Sequence, residues 1–285
     1  MAKTYNDLYI ETRRVLKEAG IAAYALEARL IVAHAAEKSS DKLLRDMRLY
    51  TADETGEKAR RLLQRRLEGE PLAYITGEWE FYGLPILINE NVLIPRVDTE
   101  VLVDTALRYL RTRKPDARIL DLCAGSGCIG CAIAKHLPES RVVVADISPE
   151  AVSLCRKNAL LNNLSPRVTC IDADAAGIPP MLVGSFDMIV CNPPYIPSGD
   201  LEGLDRSVRD YEPRLALDGG EDGLHFYRII TQNWRHVLRS GGQFVFEVGI
   251  DQAEAVSHIL RMGDCKNIEI VSDTAGIPRV VAGRI

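Results

Sequence analysis

The stretch Arg118-Ile-Leu-Asp-Leu-Cys-Ala-Gly-Ser-Gly-Cys-Ile-Gly130 decides the fold. Ile119 and Leu120 belong to a short apolar strand that Asp121 closes. Gly125 and Gly127 permit a tight turn and a close approach of backbone to a ligand. The run from Cys128 to Leu137 is small and apolar, which suits a helix buried against a sheet. Strand, glycine turn and helix form the opening unit of a nucleotide-binding α/β domain. A polar ligand group in such a unit sits over the free amides at the helix start.

Outward from this unit the chain alternates. Strands are expected at 119–121, 142–146, 168–172, 186–191 and 243–248, with helices at 128–137, 148–161, 223–238 and 252–262. Two last strands, 268–271 and 279–282, read as a hairpin. This pattern predicts an α/β fold: a mostly parallel seven-stranded Rossmann-like sheet with helices on both faces over residues 96–285. Right-handed crossovers gather the strand ends on one rim, where ligands bind. Two loops rich in turn-formers, 172–180 and 197–222, lie on that rim, and the longer is a candidate lid or substrate loop.

The first 72 residues have helical spacing throughout and predict a small bundle suited to recognition or support. Residues 73–95 change period. Tyr74-Ile75, Trp79–Tyr82, Leu84–Ile88 and Val92–Ile94 are β-prone pieces, read as a hairpin linking the two domains. Trp79, Phe81 and Tyr82 are expected to pack between domains rather than to stack on a ligand. In Pro95–Glu100, Asp98 or Thr99 either caps the following helix or lines the mouth of a site.

Apolar residues make up 47% of the 285 and charged residues 26%, ordinary for a soluble globular protein. No apolar run is long enough to span a membrane, and Met1–Leu8 has no signal-peptide core. The seven cysteines, an odd number, suit a reducing cytosol, so a cytoplasmic protein is expected. The first 75 residues hold 14 Lys and Arg against 12 Asp and Glu, a balance of +2, and the rest of the chain holds −7. A negative main domain argues against sequence-independent DNA binding. The spacing of Cys123, Cys128 and Cys131 does not match zinc-binding pairs, and the five histidines are scattered.

Asp146 lies about 20 residues beyond the glycines at a strand end, where its carboxylate can accept both hydroxyls of a ribose. That suits NAD or any adenosine-containing cofactor. Asp121, just before the glycines, would lie near the phosphate path of a dinucleotide and instead favours a cofactor with a cationic amino-acid end. Asn192-Pro193-Pro194-Tyr195 directly follows the strand at 186–191. The prolines fix the backbone and remove two amide donors. A planar amide or amidine fits there, with its N–H groups taken by the Asn192 side chain and the Pro193 carbonyl and its face against Tyr195.

With these residues in view, the sequence resembles the release factor glutamine N5-methyltransferase family (HemK/PrmC) of class I S-adenosylmethionine-dependent methyltransferases. The resemblance covers nearly the whole chain: G-E-W-E-F-Y-G-L at 77–84, L-I-P-R-V-D-T-E at 93–100, D-L-C-A-G-S-G at 121–127, A-D-I-S-P-E at 145–150, N-P-P-Y-I-P at 192–197 and E-P-R-L-A-L-D-G-G-E-D-G-L at 212–224. The family usually reads P-R-P-E-T-E at 95–100 and Gly-Thr where this chain has Cys123-Ala124.

The resemblance implies that Asp121, Gly125 and Gly127 line the methionine end of S-adenosyl-L-methionine. Asp146 would hold its ribose, and Asp172 would lie by the adenine edge. Asn192, with Pro193 and Pro194, would bind the substrate amide beside Tyr195. Glu247, at the end of the fifth strand, either walls the site or sits on its rim. The implied reaction is methyl transfer to the glutamine of the Gly-Gly-Gln motif in class 1 peptide-chain release factors, by a monomer without stable nucleic-acid binding. An adenine-N6 DNA methyltransferase would use N-P-P-Y equally well on a flipped base, but the acidity and the small front domain count against it. A nicotinamide dehydrogenase and a non-catalytic translation-factor binding module fit the set of motifs less well.

Overall fold

A computed structural model describes residues 3–111 and 114–285. The chain divides into two compact units, Met1–Gly77 and Glu78–Ile285.

The first unit is all-helical: α1 (Tyr5–Glu18), α2 (Tyr24–Ala35), α3 (Ser40–Asp46), α4 (Asp53–Leu67) and α5 (Leu72–Thr76). Thr4 caps α1 by accepting from the Asp7 amide, while the Asp7 carboxylate accepts from the Thr4 amide. Leu8, Leu16, Ile31, Leu43, Leu62 and Ile75 lie in its core. The expectation of β character at Tyr74-Ile75 is corrected here. Pro71 precedes a helical turn whose first four residues are buried, and Gly77, at φ +72°, ends it.

The second unit opens with a hairpin, β1 (Glu78–Phe81) and β2 (Leu84–Leu87). Tyr82 and Gly83 both have positive φ, the geometry of a two-residue hairpin turn. The hairpin is shorter than expected. Val92–Ile94 forms no strand, and the Ile94 amide donates instead to the Glu212 carboxylate. The hairpin aromatics find partners within their own unit. Phe81 is buried, the Trp79 indole donates to the Pro95 carbonyl, and the Tyr82 hydroxyl donates to Asp104.

Then follow α6 (Glu100–Arg111), β3 (Arg118–Leu122), α7 (Cys128–His136), β4 (Arg141–Asp146), α8 (Pro149–Leu161), β5 (Val168–Asp172) and β6 (Phe186–Cys191). The chain ends with α9 (Arg206–Arg209), α10 (His225–Asn233), β7 (Leu238–Glu247), α11 (Ala253–Met262), β8 (Lys266–Ser272) and β9 (Pro278–Arg284). Ser148 caps α8, with Pro149 in its first turn. The seven-stranded sheet has the order β5-β4-β3-β6-β7-β9-β8. Its first five strands are parallel, and β9 runs antiparallel to both neighbours. The order reverses at β3, so a crevice opens beyond the ends of β3 and β6.

Three local expectations change. The helix expected at 223–238 stops at Asn233 and passes through a short 3-10 turn. The strand expected from Gln243 already begins at Leu238, with a bulge at Gly241 (φ +77°) between the Phe186–Leu238 and Met188–Gln243 pairs. Neither Asp98 nor Thr99 caps α6. They lie in a 3-10 turn, Val97–Thr99, that leads into it.

Candidate active site

A cavity of about 360 Å³ lies at the crevice, within the size range of small-molecule sites. Gly125, Ser126, Asp146, Ile147, Asp174, Asn192 and Pro194 are on its wall, together with Leu93, Pro95 and Thr99 and with Pro213, Leu215 and Ala216 of the long rim loop.

The glycine loop is built by backbone. The Ala124 amide donates to the Ala145 carbonyl at 3.1 Å, and the Gly127 amide to Ala124 at 2.7 Å. Gly125 and Gly127 have φ of +54° and +76°. A Cβ on Gly127 would meet the Cys155 sulfur of α8 at 2.9 Å, so that glycine is required twice over. Cys123 also has positive φ, a strained setting for a side chain. Asp146 ties the loop to β4. One carboxylate oxygen accepts from Gly125 N at 2.8 Å and the other from Ser148 N at 3.0 Å. Burial raises the Asp146 pKa, and these amides work against that rise.

Asp121 does not line the cavity. It lies fully buried under the loop, where one oxygen accepts from Gly130 N at 2.8 Å and the other has no partner. Burial, opposed by that amide, pushes its pKa up to about 8. Gly127 likewise supports the wall without forming it. Asp172 ends β5 exposed, and Ala173 and Asp174 reach the cavity in its place.

On the other side, Asn192 and Pro194 are on the wall, whereas Pro193 and Tyr195 stand behind it. Asn192 Nδ2 donates to Thr99 Oγ1 at 3.5 Å. Tyr195 is clamped: its carbonyl accepts from Gln252 Nε2 at 2.9 Å, and a Cβ on Gly219 would lie 2.7 Å from its backbone. The long rim loop is stitched to the same segment. Ile196 N donates to Leu217 O, Gly219 N to Ile196 O and Ser198 N to Gly220 O, each within 3.0 Å. Buried Glu212 adds to this by accepting from the Arg96 guanidinium and the Ile94 amide. Glu247 is not a rim residue. It is buried next to Asn192 and Thr99, with its pKa raised to about 7 by burial. Burial, then the Glu247 charge, push the Tyr195 hydroxyl up to about 12.

Asp174, Glu212 and Gln252 are residues of this site that the sequence did not single out, although Asp174 lies in the 172–180 rim loop and Glu212 opens the 212–224 motif. Thr99 is on the wall, as the second reading of the 95–100 segment had it.

Comparison with known proteins gives the class first. Residues 97–205 match the methyltransferase small domain model, and residues 7–77 match the PrmC N-terminal domain. A methyltransferase structure from Pyrococcus furiosus superposes with a TM-score of 0.51 at 16% identity, over 78% of this chain and 96% of that one. The main unit has the class I methyltransferase fold.

The relatives are narrower. A release factor glutamine methyltransferase from Geobacter sulfurreducens is 47% identical over 79% of this chain and 77% of its own. One from Clostridium botulinum is 38% identical over 98% of both chains. The chain belongs to the release factor glutamine methyltransferase family.

Proposed function

We propose that the protein transfers the methyl group of S-adenosyl-L-methionine to the side-chain amide nitrogen of the glutamine in the Gly-Gly-Gln motif of class 1 peptide-chain release factors. One observation carries this reading: in a chain of this family, the glycine loop, Asp146 and Asn192 share one cavity. The residues present fit the cofactor. Each Asp146 oxygen accepts one amide and keeps a lone pair for a ribose hydroxyl. Gly125 lets the loop backbone approach the methionine end, with Gly127 holding the turn. Asp174 and its neighbours, on the wall, would hold the adenine in place of Asp172. Asp121, sealed beneath the loop, holds the start of α7 through the Gly130 amide.

When bound, the cofactor supplies an already activated sulfonium methyl. The protein's task is then alignment, because an amide nitrogen is a weak nucleophile. The Asn192 side-chain oxygen, on the wall, accepts an N–H group of the substrate amide; the second acceptor expected from the sequence, the Pro193 carbonyl, stands behind the wall. Asn192 places partial negative charge where positive charge develops on nitrogen. Pro194 shapes the wall, and Tyr195 braces the segment beside the amide. Exclusion of water on substrate entry would sharpen both effects.

In the same reading, residues 1–72 grip the body of the release factor and 96–285 carry the chemistry, with the hairpin segment 73–95 between them. The protein works as a cytoplasmic monomer without stable nucleic-acid binding. Among the described residues no helix is long and apolar enough to cross a membrane. The test is transfer of labelled methyl from S-adenosylmethionine, with purified release factor and unmethylated duplex DNA offered in parallel. Label in the release factor, lost when its motif glutamine is replaced, is expected. Label only in DNA would overturn the substrate and leave the cofactor assignment standing.

A further inference from the structure

Glu247 ends β7, next to the end of β6, where Cys191 pairs with Phe246 and Asn192 follows. It is 3% exposed, and its Oε2 has no hydrogen-bond partner. Thr99 and Asn192 lie within interacting reach of its carboxylate. Thr99 is itself buried, and its Oγ1 accepts from Asn192 Nδ2 at 3.5 Å. A hydroxyl has one proton. With its oxygen facing the Asn192 amine, Thr99 has that proton free for Glu247. The amine of Asn192 is thus engaged on the protein side, and its carbonyl oxygen is the group left for a ligand.

We infer that Glu247 is a positioning residue for methyl transfer, which acts through Thr99 to lock the Asn192 side-chain amide with its carbonyl oxygen toward the substrate. This rests on the proposed function. The lock depends on charge. An ionised carboxylate only accepts, so turning the Asn192 amide over would set its oxygen against acceptors. A protonated Glu247 can donate, and both amide orientations become acceptable.

A purely structural role explains the group poorly. Arg279, from β9, is the nearby cation, but its guanidinium pairs with Asp98 at 2.7 Å and Asp273 at 3.0 Å. Glu247 therefore pays desolvation without a close ion pair of its own. The groups that face it are Arg279 on β9, Asp98 and Thr99 before α6, and Asn192 and Tyr195 after β6. From α10, the Tyr227 hydroxyl donates to the Glu247 backbone carbonyl at 2.9 Å. Burial raises the carboxyl pKa most. Thr99, Arg279 and Asn192 lower it, and Asp98 raises it, leaving it at about 7.

The test uses the full chain, S-adenosylmethionine and purified release factor, with wild type, Glu247→Gln and Thr99→Val. Wild-type kcat should fall below a midpoint near pH 7. In Glu247→Gln, kcat at alkaline pH should drop by roughly ten- to a hundred-fold, with KM for the release factor changing less and the acid limb lost. Calorimetric affinity for S-adenosylmethionine should be unchanged. A second readout needs no turnover. The side-chain amide NMR signals of Asn192, assigned by their loss in Asn192→Ala, should shift with the same midpoint in wild type. That response should vanish in both Glu247→Gln and Thr99→Val, and Thr99→Val carries the test if Glu247→Gln folds poorly. Wild-type kcat and pH profile in Glu247→Gln would overturn the inference, as would Asn192 signals that ignore pH. A wild-type protein that leaves the release factor unlabelled would overturn the proposed function, and the Asn192 titration would still decide the role of Glu247.

Discussion

The two sides of the cavity are made from different materials. At the ends of β3 and β4 the polar surface is mostly backbone, with amides of the glycine loop fixed by one carboxylate, Asp146. At the ends of β6 and β7 it is side chains, Asn192 and Thr99, with Glu247 buried behind them, drawn from three separate segments. Backbone cannot be mutated away and tolerates changes in the residues that carry it, as Cys123 and Ala124 illustrate. A side-chain relay is exposed to single substitutions and to pH. The side proposed to hold the cofactor is therefore the rigid one, and the side proposed to handle the reacting amide is the tunable one.

The contrast breaks most easily at Asn192. Asn192→Ala should lower kcat by about 10²–10³-fold, the loss typical of one well-aimed polar group, while calorimetry shows cofactor affinity retained. Equal loss of both would mean that the two sides are not separate. Asp146→Ala is the mirror experiment. It should weaken cofactor binding by roughly ten- to a hundred-fold, as for the loss of charge-assisted hydrogen bonds, with kcat at saturating cofactor less affected. A fall in kcat alone would reverse the assignment.

Next comes pH. Burial holds Asp121 at about 8 and Glu247 at about 7, against ordinary values of 3.8 and 4.5. The folded state therefore binds more protons than the unfolded chain between those values. Their contribution to stability is complete below the ordinary carboxylate range and is lost as pH rises through about 7 and 8. Urea unfolding across that window should show a decline on the order of a few kcal/mol. Asp121→Asn should flatten its upper part, and an unchanged profile would place the titration elsewhere. The smallest effect is expected at Gly127→Ala. Positive φ and the approach to Cys155 should cost about 1–3 kcal/mol of stability, read as a lower melting temperature. A neutral result would show that the loop is softer than its hydrogen bonds suggest.

What the sequence made legible follows the same division. The glycine turn, Asp146 and N-P-P-Y are contiguous motifs whose local chemistry needs no knowledge of distant partners. The sheet was legible too, because alternation of strand and helix dictates a parallel arrangement. Asp172 was one residue short of the cavity wall because periodicity locates a strand end but not the direction of the loop after it. Asp121 was expected to line the methionine end of the cofactor but is sealed off from the cavity, since burial comes from α7 pressing close at Gly130. Gln252 stayed hidden, because it acts on a partner far along the chain and nothing in its own surroundings marks it. The segments of Thr99 and Glu212 were visible, but their partners, Asn192 and Ile94 with Arg96, were not. Tyr74-Ile75 misled because two β-prone residues before a glycine look alike in a strand end and a one-turn helix.

Asn158 on α8 is fully buried, and its side-chain amide bonds both backbone groups of Leu87 and the Ser126 carbonyl of the glycine loop. Asn162, one turn on, donates to the Pro85 carbonyl. The hairpin is therefore inherited with the cofactor loop rather than with the helices before it. For anyone grafting this catalytic module onto another recognition domain, the seam falls ahead of Glu78. A cut at residue 96 would strand a buried amide with neither of its Leu87 partners.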